Sequence, residues 1–191
     1  MHHTTQRGAQ VRQRLLNAAT DLIAQRGWNA VTTRTLAHHA GVGPGLVHYH
    51  FDSLQALLTE AATQTLRTLA DEVTQHLQGT TPAQGLDLIL RDLDRYPGDD
   101  PASRLVAETY LAATRDPALR HAVTDVLLDL RHHLTDWLQT TDIPDPRTTA
   151  TALAAALDGV MLHRALTPEP TGTQLAPVLR RLLTHHEGTP A

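Results

Sequence analysis

The sequence predicts an all-α protein of about nine helices. Apolar and polar residues nowhere alternate at a period of two, the mark of a half-buried strand. Aromatic residues, which favour strands, number only six in 191. Apolar residues instead recur at three- and four-residue spacing between glycine and proline breaks.

Val11, Leu15, Ala18, Ala19, Leu22 and Ile23 form the stripe of a first helix, ended by Gly27. Thr32 is placed to cap a second, whose Leu36, Ala37 and Ala40 face inward. Gly41-Val42-Gly43 breaks it. Pro44 suits the first turn of a third helix, where its missing N–H would be unpaired in any case. Ser53 can cap a long fourth helix with Leu54, Leu58, Ala61, Thr65, Leu69 and Val73 on one face; residues 79–82 end it. Leu86, Ile89, Leu90 and Leu93 mark a fifth, closed by Pro97-Gly98, and Leu105, Val106, Thr109 and Ala113 a sixth.

Asp116-Pro117 opens a seventh helix that runs to about Thr140, with Leu119, Val123, Val126, Leu130, Leu134 and Trp137 inward. Ile143-Pro144-Asp145-Pro146 is a linker. An eighth helix spans roughly Arg147 to Leu166, and a ninth carries Leu175, Val178, Leu179, Leu182 and Leu183. Between Ala150 and Leu162 the eighth is apolar on every side. A helix apolar all round is buried all round, so a second subunit is expected against the side that its own core leaves open. No internal repeat is visible.

Composition excludes several function classes. The chain has no cysteine, hence no disulfide, thiolate metal site or cysteine nucleophile. No stretch reaches the ~18 apolar residues of a membrane span, and the first ten residues lack the apolar core of a secretory signal. A cytoplasmic protein without membrane association is the expectation. The net charge of −4 hides a split. Residues 1–52 carry five arginines against two acids, and residues 53–191 eleven against eighteen. A basic head that meets an anion and an acidic body that does not fit this asymmetry.

Four histidines lie between His38 and His50. A helical metal site wants ligands at i and i+4. His38 and His39 are adjacent and diverge by about 100° on a helix, and His48 and His50 are two apart, so no metal or other cofactor is expected. On helix seven His121, Asp125, Asp129, His132 and Asp136 share one stripe, but it lies opposite the apolar face, as a solvated face does. His185 and His186 read the same way.

Two short helices joined by a tight glycine-containing turn make a helix-turn-helix, whose second helix enters the DNA major groove. The segment "LLNAATDLIAQRGWNAVTTRTLAHHAGVGPGLVHYHF" resembles the N-terminal domain of the tetracycline-repressor family of bacterial regulators. Ala18-Ala19, Gly27-Trp28, Thr32, Leu36-Ala37, Ala40-Gly41-Val42, Gly45 and His50-Phe51 carry the resemblance. It implies a three-helix DNA-binding domain over residues 1–52 and a helical ligand-binding and dimerisation domain over 53–191. It also implies a homodimer through the last two helices, whose reading helices stand ~34–36 Å apart on double-stranded operator DNA.

Carried over by position, the resemblance places Thr33 and Arg34 against phosphate. Gly43 stands where the family usually has a capping Ser or Thr. Pro44 and Leu46 take base-facing positions, and Gly45 lets the backbone approach. His48 replaces a common Tyr, Tyr49 follows it, and His50 matches a phosphate-binding position. Leu54 replaces a Lys that often touches the DNA backbone. Phe51 and Trp28 belong to the core, and His38 and His39 to the surface of helix two.

The resemblance also implies a small-molecule effector bound between helices four to eight. Thr109, Tyr110, His133, Trp137 and Asp158 are the candidate polar handles, each equally suited to a paired core group or an interface hydrogen bond. The leading expectation is a dimeric repressor of a palindromic operator, released by a small molecule. An all-helical hydrolase using the His/Asp stripe, and an interaction module that has lost operator binding through Gly43 and Leu54, stay open as alternatives.

Overall fold

The computed structural model describes residues 2–141, 143–167 and 170–183, with side chains from residue 6 onward. Among the described residues it has nine α-helices and no strand. They are α1 His2–Arg26, α2 Thr33–Ala40, α3 Gly45–His50, α4 Leu54–Gln75, α5 Pro82–Leu93, α6 Pro101–Ala113, α7 Pro117–Gln139, α8 Pro146–Arg164 and α9 Gly172–Leu179. Short 3-10 turns follow α1 and α9. His185 and His186 lie outside the described residues.

The helix starts follow local chemistry. Thr32, Thr81 and Thr171 each accept the amide of the residue three on, while that residue's side chain accepts the threonine's own N–H, a reciprocal box at α2, α5 and α9. Ser53 Oγ accepts the Ala56 amide at 3.0 Å, and Asp116 Oδ1 accepts those of Ala118 and Leu119 at the start of α7. Pro177 lies inside α9, which tightens into the 3-10 turn Arg180–Leu183. Leu182 and Leu183 therefore sit in that turn rather than in the ninth helix.

The chain divides into two compact units. Unit 1 holds Met1–Arg67 with Arg104–Val123. Its core includes Leu15, Leu22, Ile23, Leu36, Leu57, Leu105 and Leu119, each at most 1 % exposed. The buried face of α4 is rotated from the expected stripe. Leu57, Ala62, Thr63 and Leu66 are buried with Leu58 and Ala61, while Leu54, Thr65, Leu69 and Val73 are only half-buried. The reason is that α4 contributes to both units, so one continuous stripe does not describe it.

Unit 2 holds Thr68–Ser103 with Thr124–Ala191. Leu86, Ile89 and Leu90 of α5, Leu134 and Leu138 of α7, Ala150, Leu153 and Leu157 of α8 and Leu179 of α9 form its core. Arg164 is buried at the end of α8 with 4 % of its side chain exposed. Its guanidinium donates to the Leu93 carbonyl, to the Tyr96 carbonyl at 3.3 Å and to Asp94 Oδ1 at 2.5 Å. The same Asp94 oxygen accepts the Gly172 amide at 2.8 Å, at the first residue of α9. A Cβ on Gly172 would collide with the Leu90 carbonyl.

Within one chain α8 is buried along one side. Ala150, Leu153, Ala154, Leu157 and Met161 are buried, while Ala152 and Ala155 are exposed and Ala156, Gly159, Val160 and Leu162 half-buried. One chain supplies a core for one side of the helix only.

Replacing Arg164 by alanine leaves Asp94 and two carbonyls without their cation. Removing one partner of a buried pair costs roughly 3 kcal/mol, so a matching drop in unfolding free energy is expected from denaturant titration. A loss under about 1 kcal/mol, the range of an exposed ion pair, would show that the clamp is not a stability determinant.

Candidate nucleic-acid interface

Local chemistry positions α2 and α3. The Thr32 box starts α2. Gly41 stops it in the left-handed region at φ +64°, its amide donating back to the carbonyls of Ala37 and His38. Pro44 has helical dihedrals, and the Leu46 amide donates to the Gly43 carbonyl at 3.0 Å. Pro44 thus occupies the opening turn of α3 as expected, and no side chain caps this end.

A six-residue helix is not stable alone, so tertiary anchors hold α3. Val47 is fully buried and Phe51, four residues on, is 6 % exposed. The Arg12 guanidinium lies 4.7 Å from the Phe51 ring centroid and reaches Glu60 at 2.5 Å. With Val47 and Phe51 turned inward, helical geometry turns the intervening residues out. Tyr49 is 78 % exposed and Leu46 37 %, and His48 is exposed beside them. His50 is half-buried, its ring in edge-to-face contact with Tyr49 at 4.9 Å between centroids.

The protein's own fold does not require glycine at Gly43 or Gly45. Neither has a positive φ, and a Cβ at either would meet nothing within 4 Å. Bare backbone at Gly45, beside an outward-facing Tyr, His and Leu, offers a close approach to something outside the chain.

Thr33 is half-buried and Arg34 exposed in the first turn of α2. Arg34 belongs to a rim that the sequence did not single out. A cleft of about 410 Å³ is bordered by Arg26, Arg34, His38 and His39, with Leu22, Ala37 and Pro44 among its apolar walls. His39 Nε2 lies 3.3 Å from Asp21. Arg26 ends α1, and only the turn at Gly27 brings it to α2; its sequence signal was no more than a share in the basic head. Arg12, by contrast, is committed to Phe51 and Glu60.

Two hydrogen bonds tie this region to the helices that complete unit 1. Glu108 of α6 accepts the Trp28 amide at 2.9 Å, and Gln55 of α4 donates to Asp116 at 2.6 Å. Trp28 itself is 6 % exposed, a core residue as expected.

The five candidate ligand handles are shared between the two units. Thr109 is fully buried, and its hydroxyl donates to the Leu105 carbonyl of its own helix at 2.7 Å. It belongs to unit 1, as does the half-buried Tyr110. His133, Trp137 and Asp158 belong to unit 2. His133 is exposed and Trp137 buried, and the two line one cleft that does not include Asp158. His121, Asp125, Asp129, His132 and Asp136 are all exposed. Among the described residues no three His, Cys, Asp or Glu side chains are grouped to hold a metal ion.

Two family models match the chain in sequence. Residues 15–61 match the family model for bacterial regulatory proteins of the tetR family, and residues 80–185 that for the tetracyclin repressor-like C-terminal domain. The chain is 29 % identical to the HTH-type transcriptional regulator BetI 2 of Chromohalobacter salexigens, over 92 % of this chain and 89 % of that one. A putative transcriptional regulator of Streptomyces coelicolor A3(2) superposes with a TM-score of 0.76 at 31 % identity, covering 92 % of this chain and 99 % of that one. The multidrug binding protein EbrR, solved with imidazole, gives 0.71 at 32 % identity, with 93 % and 97 % covered. None of these relationships lends support to a hydrolase.

Two outcomes test the interface. Tyr49→Ala and His50→Ala are each expected to weaken DNA binding without altering oligomeric state in sedimentation; unchanged affinity in both would overturn it. Gly45→Ala is expected to keep or slightly raise thermal stability, by up to about 0.5 kcal/mol, and still to weaken DNA binding. Full binding by that variant would show that no close approach occurs there.

Proposed function

Since this chain belongs to the tetR family of bacterial regulatory proteins, whose members are ligand-responsive DNA-binding regulators, we propose that it is a repressor that binds a palindromic operator as a homodimer. The observation that carries the reading is the outer face of α3. Val47 and Phe51 pin a helix too short to stand alone, and Leu46, His48, Tyr49 and bare Gly45 face away from the protein. Residues 1–52 act as the DNA-binding head and 53–191 as the ligand-binding and dimerising body.

In this reading α3 enters the major groove. Leu46 and Pro44 offer apolar contact to thymine methyls. Thr33, Arg34 and His50 meet phosphate, with Gly43 giving a backbone amide where a side-chain cap is missing, and His48 and Tyr49 complete the reading face. The arginines of the rim supply the sequence-independent, salt-sensitive share of affinity. A regulator working on chromosomal operators acts in the cytoplasm. Among the described residues no helix is long and apolar enough to cross a membrane.

Dimerisation through α8 and α9 is supported by what one chain leaves uncovered. Ala152 and Ala155 are exposed, a Cβ at Gly159 would meet nothing within 4 Å, and Val178 and Leu182 are 55 % and 42 % exposed. Small residues let a partner helix come close, and the leucine and valine supply the apolar area. Effector release requires a ligand with different affinities for the DNA-bound and free states. The polar groups proposed for effector contact are Thr109 and Tyr110 in unit 1 and His133, Trp137 and Asp158 in unit 2.

Selection of bound sequences from a random DNA pool tests the reading directly. A recovered palindrome is expected; no enrichment at low salt would overturn it and favour a partner-binding role for the fold. Ala155→Glu adds a charge at an exposed position, so the helical content of the chain should persist. The expected result is a monomer in sedimentation with weakened binding to the selected palindrome. A full-size dimer would remove α8 from the interface.

A further inference from the structure

The cleft shared by His133 and Trp137 has a one-sided chemistry. It holds about 490 Å³ between the end of α4, the turn that follows it and the last turns of α7. That size is in the range of small-molecule sites, about 300–1,000 Å³. Its apolar floor is Leu77 and Trp137, each 7 % exposed. The indole is fixed in place: its Nε1 donates to the Thr80 carbonyl at 3.2 Å, and a Cβ on Gly85 would lie 2.5 Å from the ring. The floor is therefore pre-formed.

The polar lining is rich in acceptors. Three threonine hydroxyls border the cleft, and each spends its single proton on a nearby carbonyl. Thr74 donates to Asp71 at 3.0 Å, Thr80 to His76 at 2.7 Å and Thr140 to Trp137 at 2.7 Å. Only lone pairs remain on these oxygens. His133 Nδ1 lies 2.8 Å from the Asp129 carbonyl, which can only accept. Whenever the ring carries one proton, that proton is on Nδ1 and Nε2 is an acceptor. Asp136 adds a carboxylate, with His132 Nε2 at 3.4 Å along the same helix.

The field has the same sign. α4 ends at Gln75 and α7 at Gln139, so two helix C-termini, each with partial negative charge, border the cleft. No arginine is among the described residues that line it, and Gln78 is the lining side chain that brings amide donors. The acidic balance of residues 53–191 favours the approach of a cation.

We propose that this cleft binds a small organic cation with N–H donors, a protonated primary amine on a flat apolar body. The inference rests on the reading of residues 53–191 as a ligand-binding domain. The apolar body lies on Leu77 and Trp137. The ammonium donates to Asp136 and to threonine or histidine lone pairs, bonds that a quaternary ammonium of equal charge cannot form.

Calorimetric titration of the full-length protein with benzylamine, benzyltrimethylammonium and benzyl alcohol tests the three parts of this inference. Saturable binding of benzylamine is expected, at least about tenfold tighter than either analogue, because charge-assisted hydrogen bonds are the strong ones. Asp136→Asn, a change at an exposed position, is expected to weaken benzylamine binding about tenfold. Its DNA binding in the absence of amine should stay unchanged, which excludes misfolding. Equal affinity for the quaternary ion, undiminished binding by Asp136→Asn, or no benzylamine binding in protein that still binds its selected DNA would each overturn the assignment while leaving the regulator reading intact. Amine binding by a protein that binds no DNA would do the reverse.

Discussion

A guanidinium taken out of water must be neutralised where it lies, because an uncompensated buried charge costs several kcal/mol. Arg164 meets this demand with one carboxylate and two backbone carbonyls. The carbonyls are those of Leu93 and Tyr96, at and just past the end of α5, where a cation also complements the helix dipole. The Asp94 carboxylate in turn holds the first amide of α9. One side chain thus fixes the end of α8, the end of α5 and the start of α9. The exposed small residues of α8 and the exposed Val178 and Leu182 are thereby carried on elements joined by one clamp.

The DNA-reading unit uses a different device. Among its described residues no charged side chain is buried; α3 is held by Val47 and Phe51 and by the tight turn at Gly41. The helix is short and uncapped at its start, so its position depends on those two anchors more than on its own hydrogen bonds. This leaves the outer face free to vary. Gly43, His48 and Leu54 lie on that face or beside it and none of them is an anchor. Ties to the rest of unit 1 run through Glu108 at the Trp28 amide and Asp116 at Gln55, so the reading unit is braced by backbone and side-chain polar contacts as well as by its core.

Much of this was legible from local rules. The caps at Thr32, Ser53 and Asp116, the stop at Gly41 and the inward faces of α2, α5, α6 and α7 all follow from residue type and spacing. The face of α4 was not, because a helix that serves two cores has no single stripe. Arg26 was missed because its neighbours are set by a chain reversal at Gly27 rather than by its own helix. Arg164 drew no notice, since a lone arginine at a helix end is most often solvated. Thr109 is a polar residue in an apolar stripe, and its proton goes to the Leu105 carbonyl of its own helix.

By itself the sequence determined the helix inventory, the helix-turn-helix and the family, because these rest on caps, periodicity and turn residues that act within a few positions. Tertiary structure decided which polar groups remain unspent. That depends on which carbonyl lies within reach of each hydroxyl, ring nitrogen or guanidinium, and such distances are set only when helices distant in sequence pack together. It also decided which side of α8 one chain covers, since an all-apolar helix carries no record of where its own core ends and another surface begins.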